Sequence, residues 1–163
     1  NDLLEAGPKF RGTPTVHMIQ KINGIVTITG EKLHERQFIE AVHKSEEETG
    51  LKTRFFIGFA DLDLSTYHFY YEFADQSTSQ EAAEKFTLVV DKFLKQQNIE
   101  YLAKRDSLRL KDPLTHRLMP ESFEKFKERC IAEGARDGQF KLNILLQDEK
   151  RHSKFKELVV GNE

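Results

Sequence analysis

Hydrophobic residues recur along this chain at two spacings, every second residue and every third or fourth, and these spacings distinguish strands from helices. Alternation is cleanest over two runs, Phe55–Phe59 and Tyr67–Phe73, in which apolar and aromatic residues share one face. We predict that these runs are strands paired antiparallel across the turn 61–65. Helical spacing covers residues 34–49, 78–94 and 121–134, and Asn98 has the residue type of an N-cap for a short helix that ends near 106.

Near the amino terminus, residues 5–14 contain two prolines and two glycines and predict a loop. The β-prone runs Thr15–Gln20 and Ile25–Thr29 flank Asn23-Gly24, which predicts a hairpin. An extended piece over 115–119, an apolar run over 142–146 and a charged helix from about Asp148 complete the chain. The order β-β-α-β-β-α-α-β-α predicts an α+β fold, a mixed or antiparallel sheet with helices packed on its faces.

Composition narrows the class of protein. The 163 residues are 38% hydrophobic and 32% charged, which is typical of one folded domain whose hydrophobic core is large enough to be stable without disulfides or metals. A net charge of −2 argues against a general nucleic-acid binder and against an anionic membrane surface as partner. The single Cys130 and the absence of a signal-peptide pattern predict a soluble, cytoplasmic protein.

Several patterns that resemble functional sites fail on inspection. The six histidines show no metal-ligand spacing, so we interpret them as partly exposed structural residues, and Cys130 as a small buried hydrophobe. Asp61 and Glu72 have the spacing of the first and twelfth positions of a calcium loop, but Thr66 stands where that loop requires glycine. The aromatic strand resembles a base-stacking surface, yet the charge and the missing ribonucleoprotein motif favour a packed core face.

Two lysines are better candidates for a functional site, one that binds an anion such as a phosphate. Lys32 lies between a strand and a helix start, where free backbone N–H groups favour anions, and Lys141 follows Gly138 in a loop. A lysine on a loop can bring a cation to a phosphate. The chain has no Gly-x-Gly and no Walker loop, so a nucleotide would need its phosphate cradle from another domain.

Five segments in the same order resemble the carboxyl-terminal part of the Gretchen Hagen family: residues 1–2, 30–33, 98–105, 120–123 and 138–141. Members of this auxin-responsive family are acyl-acid–amido synthetases, ligases of the adenylate-forming superfamily. The resemblance implies that residues 1–14 are a hinge-proximal segment and 15–163 a small mobile α+β lid domain. The partner implied is a large amino-terminal domain, absent from this chain, that binds ATP and a carboxylic acid.

The resemblance also implies roles for four residues. Asp2 matches an acidic residue that binds the ribose hydroxyls, Lys32 a lysine near the nucleotide phosphates, and Lys141 a catalytic lysine that stabilises charge while the carboxylate attacks the α-phosphate. Lys21 stands where relatives have the hinge arginine, so the hinge cation is either Lys21 or missing. The implied cofactors are ATP and Mg²⁺, both held mainly by the missing domain.

This chain departs from the family pattern at Asn1, in place of glycine, and at Asn143-Ile144, in place of a Pro-Arg common in bacterial members. Three functions therefore stand side by side. The first is the lid of a ligase that adenylates an acid and joins it to an amino acid, inactive as this fragment alone. The others are a CoA ligase of the same superfamily and a non-catalytic module that uses its aromatic sheet to bind a ligand or partner.

Overall fold

A central four-stranded sheet with helices on both faces organises the chain in this computed structural model. The structure describes residues 2–21, 24–134 and 142–161, and only the backbone of residues 2–5 and 17–21. In chain order the elements are β1 (Asp2–Phe10), β2 (Thr13–Lys21), β3 (Ile25–Val26), β4 (Leu33–His34), α1 (Glu35–Thr49), β5 (Thr53–Asp61), β6 (Thr66–Phe73), α2 (Gln80–Gln97), α3 (Ile99–Asp106), β7 (Leu114–Arg117), α4 (Ser122–Ala132), β8 (Leu145–Leu146) and α5 (Glu149–Lys156).

The sheet has the strand order β7-β6-β5-β8 and is mixed. β5 and β6 pair antiparallel, as the alternating pattern predicts, while β7 joins β6 and β8 joins β5 in parallel. Gly58 permits the last contact, because a Cβ there would lie 2.9 Å from the Leu145 side chain. The predicted α+β class with a mixed sheet is therefore confirmed. The observed order adds β1, β4 and β8 to the predicted strands, and α5 is the charged helix predicted from about Asp148.

The two faces of the sheet bury separate clusters. Aromatic residues that alternate along β6, from Tyr67 to Phe73, pack with α1, α2 and α3, and all of β6 is buried. On the opposite face Ile57, Phe59 and Tyr70 pack with α4 and α5, where half-buried Cys130 lies at the edge. The aromatic strand is therefore a packed core face, as predicted, and offers no open surface for stacking bases.

The amino-terminal predictions are wrong. Residues 5–14 are not a loop: β1 pairs antiparallel with β2 from Asp2 opposite Lys21 to Phe10 opposite Thr13. Arg11 and Gly12 both have positive φ, 49° and 82°, which makes the tight turn that joins two strands. Pro8 is tolerated because the register shifts between Gly7 and Phe10.

The predicted hairpin between 15–20 and 25–29 is therefore also wrong. β2 is already paired with β1, and β3 pairs instead with β4, Ile25 opposite His34. Asn23, on which that prediction depended, lies outside the described residues. Asn-Gly favours a turn locally, but the choice of partner strand depends on pairings that the dipeptide does not specify.

The helix predictions hold closely. Ser79 caps α2 by accepting from Ala82 N, Asn98 caps α3 by accepting from Tyr101 N, and Asp148 caps α5 by accepting from Arg151 N. The C-cap Gly50 has φ of 76°, the left-handed conformation that ends α1. No helix among residues 2–21, 24–134 and 142–161 is long and apolar enough to cross a membrane.

Candidate functional site

The turn that connects β3 to β4 presents Lys32 to solvent. We call residues 27–34 the Lys32 turn. Gly30 has φ of 105° and Lys32 has φ of 45°, a conformation that costs a non-glycine residue about 1–2 kcal/mol. The Thr27 hydroxyl accepts from the Gly30 amide at 3.1 Å. Lys32 lies three residues before α1, which agrees with its predicted place between a strand and a helix start.

The carboxylate of Glu31 lies beneath this turn with only 1% of its surface exposed. Its Oε1 accepts from the Ile28 amide at 2.8 Å and from the Tyr67 hydroxyl. Its Oε2 accepts from the Thr29 amide at 2.8 Å and the Thr29 hydroxyl at 3.2 Å. Both oxygens are thus occupied by donors, and the carboxylate determines where the turn backbone lies.

Asn98 approaches the same turn from the junction of α2 and α3. Its Nδ2 donates to the Glu31 carbonyl at 3.1 Å, to the Lys32 carbonyl at 3.3 Å and to Gln37 Oε1 at 3.1 Å. Its Oδ1 accepts from the Tyr101 amide at 3.0 Å. Gln37 Oε1 also accepts from the His34 amide at 3.1 Å, so the network continues into α1. The buried side-chain amide of Asn98 therefore holds the two carbonyls that flank the Lys32 Cα and also caps the start of α3.

The electrostatics of the turn favour an ionised acid below an exposed cation. Burial alone would raise the pKa of Glu31, but the hydrogen bonds from Tyr67 and the amides of Thr29 and Ile28 together hold that pKa below its ordinary value. Burial and the adjacent Glu31 charge raise the pKa of Tyr67, so its hydroxyl stays a donor. Above the turn, Lys104 Cε lies 3.8 Å from where a Cβ on Gly30 would stand, which adds a second basic residue.

The other predicted site residues are less fully placed. Asp2 and Lys21 are paired directly across β1 and β2, and their side chains lie outside the described ones. Lys141 also lies outside the described residues. The description resumes at Leu142, and Glu35 at the start of α1 accepts from the amides of Ile144 and Leu145. Burial outweighs these bonds and raises the pKa of Glu35. The strand that follows Lys141 is thus tied to the helix that follows Lys32.

Sequence reasoning missed a cluster of histidines on the opposite face of the sheet. His68 Nδ1 lies 2.9 Å from His116 Nε2, and His68 Nε2 lies 3.2 Å from Asp61 Oδ2. The Tyr70 hydroxyl lies 2.8 Å from His152 Nε2. We call these five residues the histidine cluster. His68 and His152 are each 5% exposed, so the prediction of partly exposed histidines is wrong for both.

Burial is the main cause of the titration behaviour in the histidine cluster. It lowers the pKa of His116 and of His152 to about 4 each, with the positive charge of Lys156 and mutual repulsion adding to it. Burial also lowers the pKa of His68, against the opposing effect of Asp61. The histidines are therefore neutral at pH 7. No signal in the sequence joins positions 68, 116 and 152, which meet only because β7 pairs with β6 and α5 packs across them.

A cavity of about 320 Å³ lies beside this cluster, lined by residues that include Asp61, His152 and Lys156. Among the residues that the structure describes, no group of three or more His, Cys, Asp or Glu side chains is arranged to hold a metal ion. Asp61 Oδ1 instead accepts from the Leu64 amide at 2.9 Å, which closes the turn 61–65 that connects β5 to β6.

Comparison with known proteins identifies the family. The profile described as the GH3 family C-terminal domain, GH3 being the Gretchen Hagen family, matches residues 36–150. The fold is similar to that of a solved GH3.15 acyl acid amido synthetase, with a TM-score of 0.76 and 16% sequence identity over 98% of this chain. It is also similar to AtGH3.15 acyl acid amido synthetase in complex with 2,4-DB, with a TM-score of 0.72 and 15% identity over 98% of this chain.

The chain spans 30% of the length of each of these two structures. No curated protein matches it. The profile match covers more than half of the residues, and the fold agrees with it over almost the whole chain. The chain therefore belongs to the GH3 family, and it corresponds to the C-terminal domain of that family.

Proposed function

We propose that this chain is the lid domain of an ATP-dependent ligase that adenylates a carboxylic acid and joins it to an amino acid. The observation that carries the proposal is the family match over residues 36–150, together with a fold similar to 30% of an acyl acid amido synthetase. The remaining part of such an enzyme would supply the pockets for ATP and the acid. We infer that the chain alone is inactive for that reason.

The proposed reaction has two steps. A carboxylate oxygen attacks the α-phosphorus of ATP, which forms acyl-adenylate and releases pyrophosphate. The amine of an amino acid then attacks the acyl carbon, an amide bond forms, and AMP leaves while the amine loses a proton. Negative charge accumulates on the phosphates during the first step, so cations held near them lower its barrier.

The residues of this chain have separate roles in that proposal. Lys32 is exposed on a rigid turn, which fits a contact to the phosphates of ATP. Lys141 would stabilise the charge at the α-phosphate, Asp2 would accept from the ribose hydroxyls, and Lys21 would be the hinge cation. When bound, Mg²⁺ supplies positive charge to the phosphate oxygens, and we assign its ligands to the rest of the enzyme. We further place the enzyme in the cytoplasm, because one cysteine needs no oxidising compartment.

The test uses the intact enzyme that contains this domain. Lys141→Ala should lower acid-dependent exchange of pyrophosphate into ATP by at least about tenfold, because charge stabilisation in the first step is lost. Lys85→Ala is the matched control, since Lys85 is exposed on α2 and pairs only locally with Glu81 at 2.8 Å. The control should exchange at the wild-type rate. An unchanged rate in Lys141→Ala would contradict the catalytic role of Lys141.

Product identity tests the second step. Amino acids and CoA are supplied separately to the enzyme with ATP and a panel of carboxylic acids, and the acyl product is identified by mass spectrometry. An amide product supports the proposal. A thioester formed with CoA would identify a CoA ligase of the same superfamily, and no adenylate with any acid would favour a non-catalytic module.

A further inference from the structure

The backbone conformation of Lys32 depends on two buried side chains, one from the preceding residue and one that is distant in sequence. Its φ of 45° is unfavourable for a lysine, and such a conformation persists only where surrounding contacts determine it. Asn98 and Glu31 provide those contacts. Asn98 donates to the Lys32 carbonyl, and Glu31 accepts from the Thr29 amide earlier in the turn. Neither side chain can reach solvent, since Glu31 is 1% and Asn98 is 8% exposed.

We infer that Asn98 and Glu31 are positioning residues that hold Lys32 where it contacts the phosphates of ATP. This inference rests on the proposed function. Asn98 Nδ2 binds the carbonyls of Glu31 and Lys32, while Glu31 binds the amides of Ile28 and Thr29. Lys32 itself is exposed, so these contacts fix its backbone and the direction in which its side chain leaves the turn.

The two functions of Asn98 can be separated by one substitution. Its Oδ1 caps α3 through Tyr101 N, whereas its Nδ2 holds the turn. Asn98→Asp keeps an oxygen for the cap and replaces the donor with an oxygen that repels two carbonyls. We therefore expect α3 to remain intact while the Lys32 turn loosens.

Hydrogen exchange measured by mass spectrometry reports on the turn directly. In Asn98→Asp, the peptide over residues 27–34 should exchange at least about fivefold faster than in the wild-type enzyme, whereas the peptide over 99–106 should exchange as before. Faster exchange in both peptides would mean that the substitution damages α3, and unchanged exchange over 27–34 would mean that Asn98 does not hold the turn. Either result overturns the inference.

A double-mutant cycle tests whether Asn98 acts through Lys32. In pyrophosphate exchange with the intact enzyme, Lys32→Ala and Asn98→Asp should each lower kcat/KM for ATP by about tenfold, and the double variant should be no worse than Lys32→Ala. Ser79→Ala is the structural control, because it removes the cap of α2 without touching the turn, and its kcat/KM should equal the wild-type value.

The cycle also distinguishes two kinds of failure. If Lys32→Ala has no effect, the proposed role of Lys32 fails and the inference fails with it. If Lys32→Ala has the expected effect but the two losses multiply in the double variant, the proposed role stands and only the positioning inference is overturned.

Discussion

Tyr67 and His68 are neighbours on β6, and their side chains enter two very different buried polar networks. Tyr67 donates to Glu31 beneath the Lys32 turn, while His68 joins Asp61 and His116 on the opposite face of the sheet. Beneath the Lys32 turn, side chains bind backbone amides and carbonyls and so determine the path of the main chain. In the histidine cluster, Asp61 binds one backbone amide, that of Leu64, and the side chains otherwise bind one another and so connect β5, β6, β7 and α5.

This difference has a functional meaning. A network that binds the backbone can impose an unfavourable φ on one residue and present that residue at the surface. A network of side chains can hold elements together, but it leaves the path of each element to other forces. We therefore expect substitutions beneath the turn to affect both stability and the use of ATP, and changes in the histidine cluster to affect stability in acid.

Glu31→Gln should cause the largest loss. Both oxygens of Glu31 accept from donors, so the NH₂ group of glutamine must face at least one of them, and we expect the free energy of unfolding to fall by about 2–3 kcal/mol. Urea unfolding at pH 7 measures it. Glu46→Gln is the matched control, because Glu46 Oε1 alone accepts from the Thr53 amide at 2.8 Å and hydroxyl at 2.6 Å. Glutamine keeps that oxygen, so equal losses in the two variants would contradict the prediction.

The histidine cluster should make the protein sensitive to acid. A histidine in the unfolded chain has a pKa near 6.5, whereas burial lowers the pKa of His116 and of His152 in the folded chain to about 4. Between these values the unfolded state holds more protons, so the free energy of unfolding falls as the pH falls from 7 to 4.5. Urea unfolding at pH 7, 5.5 and 4.5 measures the slope.

Removing one titrating ring should flatten that slope. His116→Gln leaves a polar group beside His68 Nδ1 but cannot take up a proton in this range, so we expect the loss of stability between pH 7 and 4.5 to be roughly half that of the wild-type protein. A variant whose stability falls as steeply as that of the wild type would show that the acid sensitivity arises elsewhere.

The smallest expected effect concerns the helix that carries His152. α5 has eight residues, too few to be stable without its packing and its cap, and Asp148 accepts from the Arg151 amide at 3.0 Å. Asp148→Ala should lower the free energy of unfolding by about 0.5–1 kcal/mol, and Asp148→Asn by less, because asparagine keeps a capping oxygen. Thermal unfolding of both variants checks the order, and equal losses would show that the cap oxygen does not stabilise α5.

Local patterns predicted much of the fold because their physical causes are local. Alternation identified β5 and β6, and the caps at Ser79, Asn98 and Asp148 lie within one or two residues of where spacing predicts them. The amino-terminal pairing was missed because Asn23-Gly24 and Arg11-Gly12 both permit turns, and strand pairing selected the second. Lys32 was a candidate from its place before a helix, and the role proposed for it comes from the family resemblance.

The sequence by itself determined where helices begin and end, which faces of the central strands are apolar, and that Lys32 stands in a turn before a helix. Periodicity and capping involve residues only a few positions apart, so they can be read along the chain. Only the tertiary structure decided that Asn98 holds the carbonyl of Lys32, 66 positions away, and that His68 meets His116, 48 positions away. Such contacts depend on which strands pair and which helices cover them, and no local spacing specifies either.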